Sequence, residues 1–266
     1  VFLLAVIVYG ASMIYSVFLW RKGFRRDDRV NYFLLLGAFV LHTGAMFKRG
    51  FSLNQCPVNN LFEATMFFTW ATTLTYLGVG LLPRLRFLGA FAAPVLFAIS
   101  FFALMPSLDP PHGPKPEFSG GLKSLHAATI MLAYGAFALG AVAAAMFLTQ
   151  QYNLKFNKLR AMLSLLPSME RLDAVASRVA LIGFVLLTIG LAAGGQLPRP
   201  DGVAYWKDSK VLWSALLWIV YAGLLLGHMR AMFTGRRFAY GLIGTFVFLV
   251  LTFWGTNLLS VLHQKP

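Results

Sequence analysis

Five histidines are the residues in this chain best suited to chemistry: His42, His112, His126, His228 and His263. Imidazole serves as a metal ligand and as an acid–base group. Cys56 is the only cysteine, so neither an internal disulfide nor a CxxC redox pair exists within the chain. The helix-borne HExxH and HxxxH spacings are absent, and no cluster of N, S and carboxylate donors suggests zinc. Aromatic residues accompany the histidines. Trp218, Tyr221, Leu225 and His228 are spaced three, four and three apart, which aligns them on one helical stripe. Just before them, a polar stretch carries Tyr205, Trp206, Asp208 and Lys210, and Trp213 follows. Aromatic faces beside imidazoles suit a flat, apolar, metal-centred ligand.

The elements that must position these groups are set by composition. The chain has 266 residues, 58% of them hydrophobic and 12% charged. Its mean hydropathy is +0.70. A soluble domain of this size cannot hide so much apolar surface, so the expectation is an integral membrane protein in a lipid bilayer. A net charge of +14 would fit nucleic acid, but the basic residues sit in short clusters between apolar runs, and no nucleic-acid role is expected. No cleavable signal is recognisable, and the true N-terminus is expected upstream.

Eight runs approach the roughly 20 residues needed to span a bilayer. They are Val1–Trp20, Val30–Phe47, Leu61–Leu82, Phe87–Met105, Leu125–Gln150, Arg178–Leu197, Val211–Met229 and Phe238–Leu262. The predicted fold is an all-α polytopic helical bundle, one transmembrane domain over residues 1–266. With alternating connections, fifteen of the 23 Lys and Arg fall on one side and eight on the other. The richer side is predicted to be cytoplasmic, which puts both termini and the 198–211 loop outside.

Several segments carry open alternatives. Glu63 is the only acidic residue in or near a span. Either it is a functional carboxylate at membrane depth, or it caps its helix behind Asn59 or Asn60. His42 lies about two turns below Arg49, either as a third ligand or as a packing residue bonded across helices. Leucines among charges in Tyr152–Ser177 predict one or two interfacial amphipathic helices. His112 sits in a loop of prolines and reads as solvated. Ala136, Gly140 and Ala144 form a small-residue face for close helix packing.

In this topology His126 and His263 lie at the outer ends of different spans, at the depth of the aromatic loop. His228 lies at the inner end of the seventh span. Two imidazoles approaching from opposite faces, with flat apolar walls, are what bis-histidine ligation of haem iron needs.

The residues also resemble a known family. CPVNNLFEATMFFTW, LHAATIMLAYGAFALGAVAAAM, DSKVLWSALLWIVYAGLLLGHMR, GRRFAYGLIG and GTNLLSVLH, in this order and spacing, resemble CcsA/ResC-type cytochrome c biogenesis proteins. That resemblance implies haem b held on the outer face of a bacterial cytoplasmic membrane. It implies His126 and His263 as axial ligands and Tyr205, Trp206, Asp208 and Lys210 as the display loop. It further implies that His228 takes part in haem passage through the membrane. The implied partners are a CcsB-type membrane protein and an apocytochrome c with a CxxCH motif. With that partner the complex would join haem vinyl groups to cysteines, a lyase-type holocytochrome c synthase. Glu63, His42, Trp213 and Trp218 complete the expected cofactor-binding set. The family loop reads close to WGxYWxWDPK. Here GVAYWKDSK has one Trp, with Lys207 before Asp208 and Ser209 after it.

Three other functions remain open on the sequence. One is a CcmC-like haem exporter or chaperone. Another is a membrane b-type cytochrome carrying electrons. The last is a HemX-type regulatory membrane protein.

Overall fold

A computed structural model describes residues 1–21, 29–53, 60–109, 121–156, 168–197 and 208–257. They form eight α-helices: α1 (Phe2–Arg21), α2 (Arg29–Leu53), α3 (Leu61–Gly80), α4 (Leu88–Ala103), α5 (Gly121–Phe156), α6 (Met169–Gly195), α7 (Ser209–Met229) and α8 (Arg236–Asn257). Among the described residues there is no β-strand. The eight predicted runs correspond one to one with these helices.

Six of them, all but α3 and α4, are long and apolar enough to cross a membrane. Their outward faces carry large apolar side chains such as Ile7, Phe33, Val40, Ile182, Ile219 and Leu251. Exposed apolar surface on most helices of one bundle marks a lipid boundary rather than a water boundary. The protein is a multi-pass membrane protein. At 16 residues, α4 is the shortest helix. α3 has the length of a span, but it carries Glu63 and the threonines Thr65, Thr69, Thr72, Thr73 and Thr75. Four of those five threonines are buried, so α3 turns its polar groups inward.

The bundle has two halves. α1 packs on α2 and α4, and α3 on α4; α5 packs most extensively on α6, and α7 and α8 complete the second half. The halves meet chiefly where α3 crosses α5. Gly135 permits that crossing: a Cβ there would stand 2.6 Å from the Ala71 carbonyl carbon and the Thr72 nitrogen. Those are backbone atoms, which cannot step aside. On the predicted small-residue face, Gly140 meets Ala176 and Ala180 of α6.

Two expectations change. α6 begins at Met169, not Arg178, and α5 runs on to Phe156. The two ends of the Tyr152–Ser177 stretch are therefore turns of these helices, while residues 157–167, where the rest of the predicted interfacial segment falls, lie outside the described residues. Leu172 and Val175 are buried in the core.

Candidate functional site

Side-chain contacts sort the helix ends into two layers. In one, His126 of α5 meets the last turns of α6. Phe2 of α1 meets Phe62 of α3 edge to face, and Arg49 of α2 meets Glu63. In the other, Trp20 of α1 meets Phe91 of α4, and His228 of α7 meets Asp173 of α6. Gly194 and Asp173 mark the two layers on α6. Their 21-residue separation corresponds to about 30 Å. His126 and His228 therefore cannot ligate one iron.

His126 is half-buried on the second turn of α5. Its Nδ1 lies 2.7 Å from the carbonyl oxygen of Gly190 on α6. A carbonyl only accepts, so Nδ1 carries the proton and donates. Nε2 then holds the lone pair. This is the arrangement in which an imidazole is oriented by one nitrogen and binds a metal through the other. The residues present fit an iron-centred ligand at this point.

Its companions in the predicted site are only partly described. His263, Tyr205 and Trp206 lie outside the described residues, as does His112. Asp208 is buried and caps α7: its Oδ1 accepts from the backbone nitrogens of Lys210 at 2.9 Å and Val211 at 3.2 Å. An Asp N-cap satisfies donors that the helix start leaves open. Lys210 follows in the first turn of α7. Trp213 is 38% exposed and leans on Phe248 of α8. Trp218 donates from Nε1 to the Thr188 hydroxyl of α6 at 2.9 Å and lies against Phe184.

The stripe below them is packed shut. Tyr221 stacks on Phe137 with ring centroids 3.7 Å apart, and its hydroxyl has no partner among the described residues. His228 ends the stripe. Its Nδ1 lies 3.0 Å from the Phe233 carbonyl, its Nε2 lies 3.4 Å from Asp173 Oδ2, and its ring stacks on Phe238. Both neighbours accept, and an imidazole satisfying both has no lone pair left for a metal.

Glu63 is fully buried at the start of α3. Its backbone N–H donates to the Asn60 side chain at 2.8 Å, so Asn60 is the N-cap, one of the two predicted alternatives. Arg49 Nε donates to Glu63 Oε1 at 3.0 Å, and the same guanidinium also holds Asp109. Asn60 donates to Asp109 as well. This network ties α2, α3 and the chain after α4 into one layer with Phe62, over which the guanidinium lies.

His42 is fully buried in the first half, away from His126. Thr73 donates to the Thr69 carbonyl at 2.8 Å, so its hydroxyl proton is committed. The Tyr9 hydroxyl, 3.0 Å from Thr73 Oγ1, must then donate to it. The same Tyr9 oxygen lies 3.2 Å from His42 Nδ1 and so bridges the imidazole to Thr73. Bonding across helices, one of the two readings of His42, is what the core contains. Nothing in the sequence singled out Tyr9, which lies in an unbroken apolar run.

No group of three or more His, Cys, Asp or Glu forms a metal cluster among the described residues. A cavity of about 170 Å³ lies between the halves, lined by residues including Thr72, Val95, Ala141 and Phe246. It touches none of the histidines and is smaller than the roughly 300–1,000 Å³ of most small-molecule sites.

Comparison with known proteins identifies the family. The family model for cytochrome c assembly proteins matches residues 58–263. The protein named cytochrome c biogenesis protein CcsA from Prochlorococcus marinus (strain NATL1A) is 26% identical, over 92% of this chain and 87% of its own length. CcsA from Trieres chinensis is 26% identical, over 98% and 92%. CcsA from Synechococcus sp. (strain CC9605) is 27% identical, over 87% and 84%. With the family match covering more than half of the chain, this multi-pass membrane protein belongs to the cytochrome c assembly family, alongside the CcsA-type proteins of cytochrome c biogenesis.

Proposed function

We propose that this chain binds haem b at the His126 end of its bundle and presents it for attachment to an apocytochrome c. His126 and His263 are the axial ligands in this reading. In this reading Tyr205, Trp206, Asp208 and Lys210 contribute the haem platform, together with Trp213 and Trp218. Haem is the cargo. Attachment adds each cysteine S–H of a CxxCH motif across a haem vinyl group: a C–S bond forms, the hydrogen goes to the neighbouring carbon, and no atom is lost. The work left to the protein is positioning. A CcsB-type partner, an outward active face and a bacterial cytoplasmic membrane belong to the same reading.

The observation that carries it is the committed Nδ1 of His126, which leaves Nε2 as a ligand nitrogen. By contrast His228, with both nitrogens against acceptors, takes part only after release from Asp173.

The test is the absorption spectrum of the purified full chain, reconstituted with haem, beside His126→Ala and His263→Ala. A low-spin bis-histidine spectrum that either substitution degrades is the expected result. A spectrum that both substitutions leave unchanged would sink the assignment.

A further inference from the structure

We propose that Gly194 is a positioning residue for His126. Its missing side chain opens the slot in α6 through which the imidazole reaches the Gly190 carbonyl and is held with Nε2 as the ligand nitrogen. The inference rests on the reading of His126 as a haem ligand.

Two sets of distances define the slot. One is the 2.7 Å approach of His126 Nδ1 to the Gly190 oxygen. The other is the space at Gly194: a Cβ there would stand 2.7 Å from both Nδ1 and Cε1 of His126, and 3.5 Å from Nε2. The Nδ1–Cε1 edge of the ring therefore fills the place of the missing side chain. Helix geometry explains the pairing. Residues 190 and 194 are one turn apart, and the side chain at position i+4 overhangs the carbonyl of residue i. A helix carbonyl keeps a second lone pair beyond its own ladder bond, but a side chain ordinarily screens it. With glycine at 194 that lone pair is open to a neighbouring helix.

Alanine at 194 cannot coexist with this ring position. Ordinary contact begins near 3.4 Å, so the ring must retreat by several tenths of an ångström. Binding geometries tolerate about 0.5 Å of error. The retreat also breaks the bond to Gly190 that selects the tautomer. Gly195 offers a matched control: it is the next residue, and a Cβ there meets nothing within 4 Å among the described residues.

The experiment titrates haem into the purified full chain as wild type, Gly194→Ala, Gly195→Ala and His126→Ala. Gly194→Ala is expected to bind haem about 10–100-fold more weakly, the usual effect of losing an outer-shell partner. Its low-spin spectrum should weaken, and added imidazole should restore low-spin haem that co-elutes with the folded chain on gel filtration; haem that separates from the chain would overturn the positioning role. Gly195→Ala should match wild type. If Gly194→Ala also matches wild type while His126→Ala loses the low-spin spectrum, the positioning role is overturned and the ligand assignment stands. If His126→Ala itself changes nothing, the ligand assignment falls and the inference with it. A second measurement needs no variant at α6: histidine ¹⁵N NMR of the haem-free wild type, with His126→Ala used only to assign the signal. Protonated Nδ1 with bare Nε2 at His126 is required, and the opposite tautomer overturns the proposal.

Discussion

Asp173 Oδ2 stands 3.4 Å from His228 Nε2 and joins the first turns of α6 to the last turn of α7. Both side chains are partly exposed, so the pair contributes at most about 1 kcal/mol. Asp173→Ala is expected to change unfolding in detergent by no more than that. It should speed acylation of His228 by diethyl pyrocarbonate, read by mass spectrometry, because Nε2 loses its cover. An unchanged rate would mean that Asp173 does not cover this nitrogen.

Arg49 and Glu63 behave differently because the carboxylate is fully buried. Arg49→Ala removes a cationic partner from that carboxylate and is expected to cost about 3 kcal/mol, near the low end for a broken buried pair. Adding Glu63→Gln should recover part of the loss, since the two sites share one network. Denaturant unfolding of the two single variants and the double variant reads the coupling. Strict additivity would dissolve the network.

Two buried tyrosines give opposite expectations. Tyr9→Phe removes the hydroxyl that bridges His42 and Thr73, at a cost of about 1–3 kcal/mol for buried polar groups that lose a partner. Tyr221→Phe deletes a buried hydroxyl with no partner among the described residues and should be neutral or stabilising. Thermal unfolding of the two variants side by side decides, and equal shifts would mean that the Tyr9 hydroxyl makes no stabilising bond in the core.

Gly135→Ala forces a methyl group onto the backbone of α3 and is expected to destabilise by about 1–3 kcal/mol. Gly223→Ala and Gly244→Ala, where a Cβ meets nothing within 4 Å, should be tolerated. The unfolding midpoints of the three variants are the measurement.

Helix number and order were legible in the sequence because apolar runs of span length separated by basic clusters admit few other structures. The Asn60 cap before Glu63 was legible for a similar reason, since capping is local. Asp109 as a second carboxylate on Arg49 was not, because it joins segments 60 residues apart through an irregular connection. The Gly190–Gly194 slot escaped notice for a different reason. Its acceptor is a main-chain carbonyl, which every residue possesses, and its other half is an absence. Sequence gives such a feature only as two glycines four apart near a helix end. The early start of α6 was hidden by the charges around Leu172, which is buried despite them.

The length of α5 bears on where His126 can sit. Its 36 residues extend about 54 Å, against about 30 Å of hydrocarbon and 40–45 Å of whole bilayer. If the helix stood upright and centred, His126 would lie roughly 19 Å from the midplane, past the ~15 Å half-thickness of the oily layer. An amphiphile bound there would straddle the headgroup boundary, its hydrocarbon body among rings and its carboxylates still in water. Such a berth does not ask its guest to shed hydration at the charged end, which makes both arrival and departure less costly than in a buried pocket.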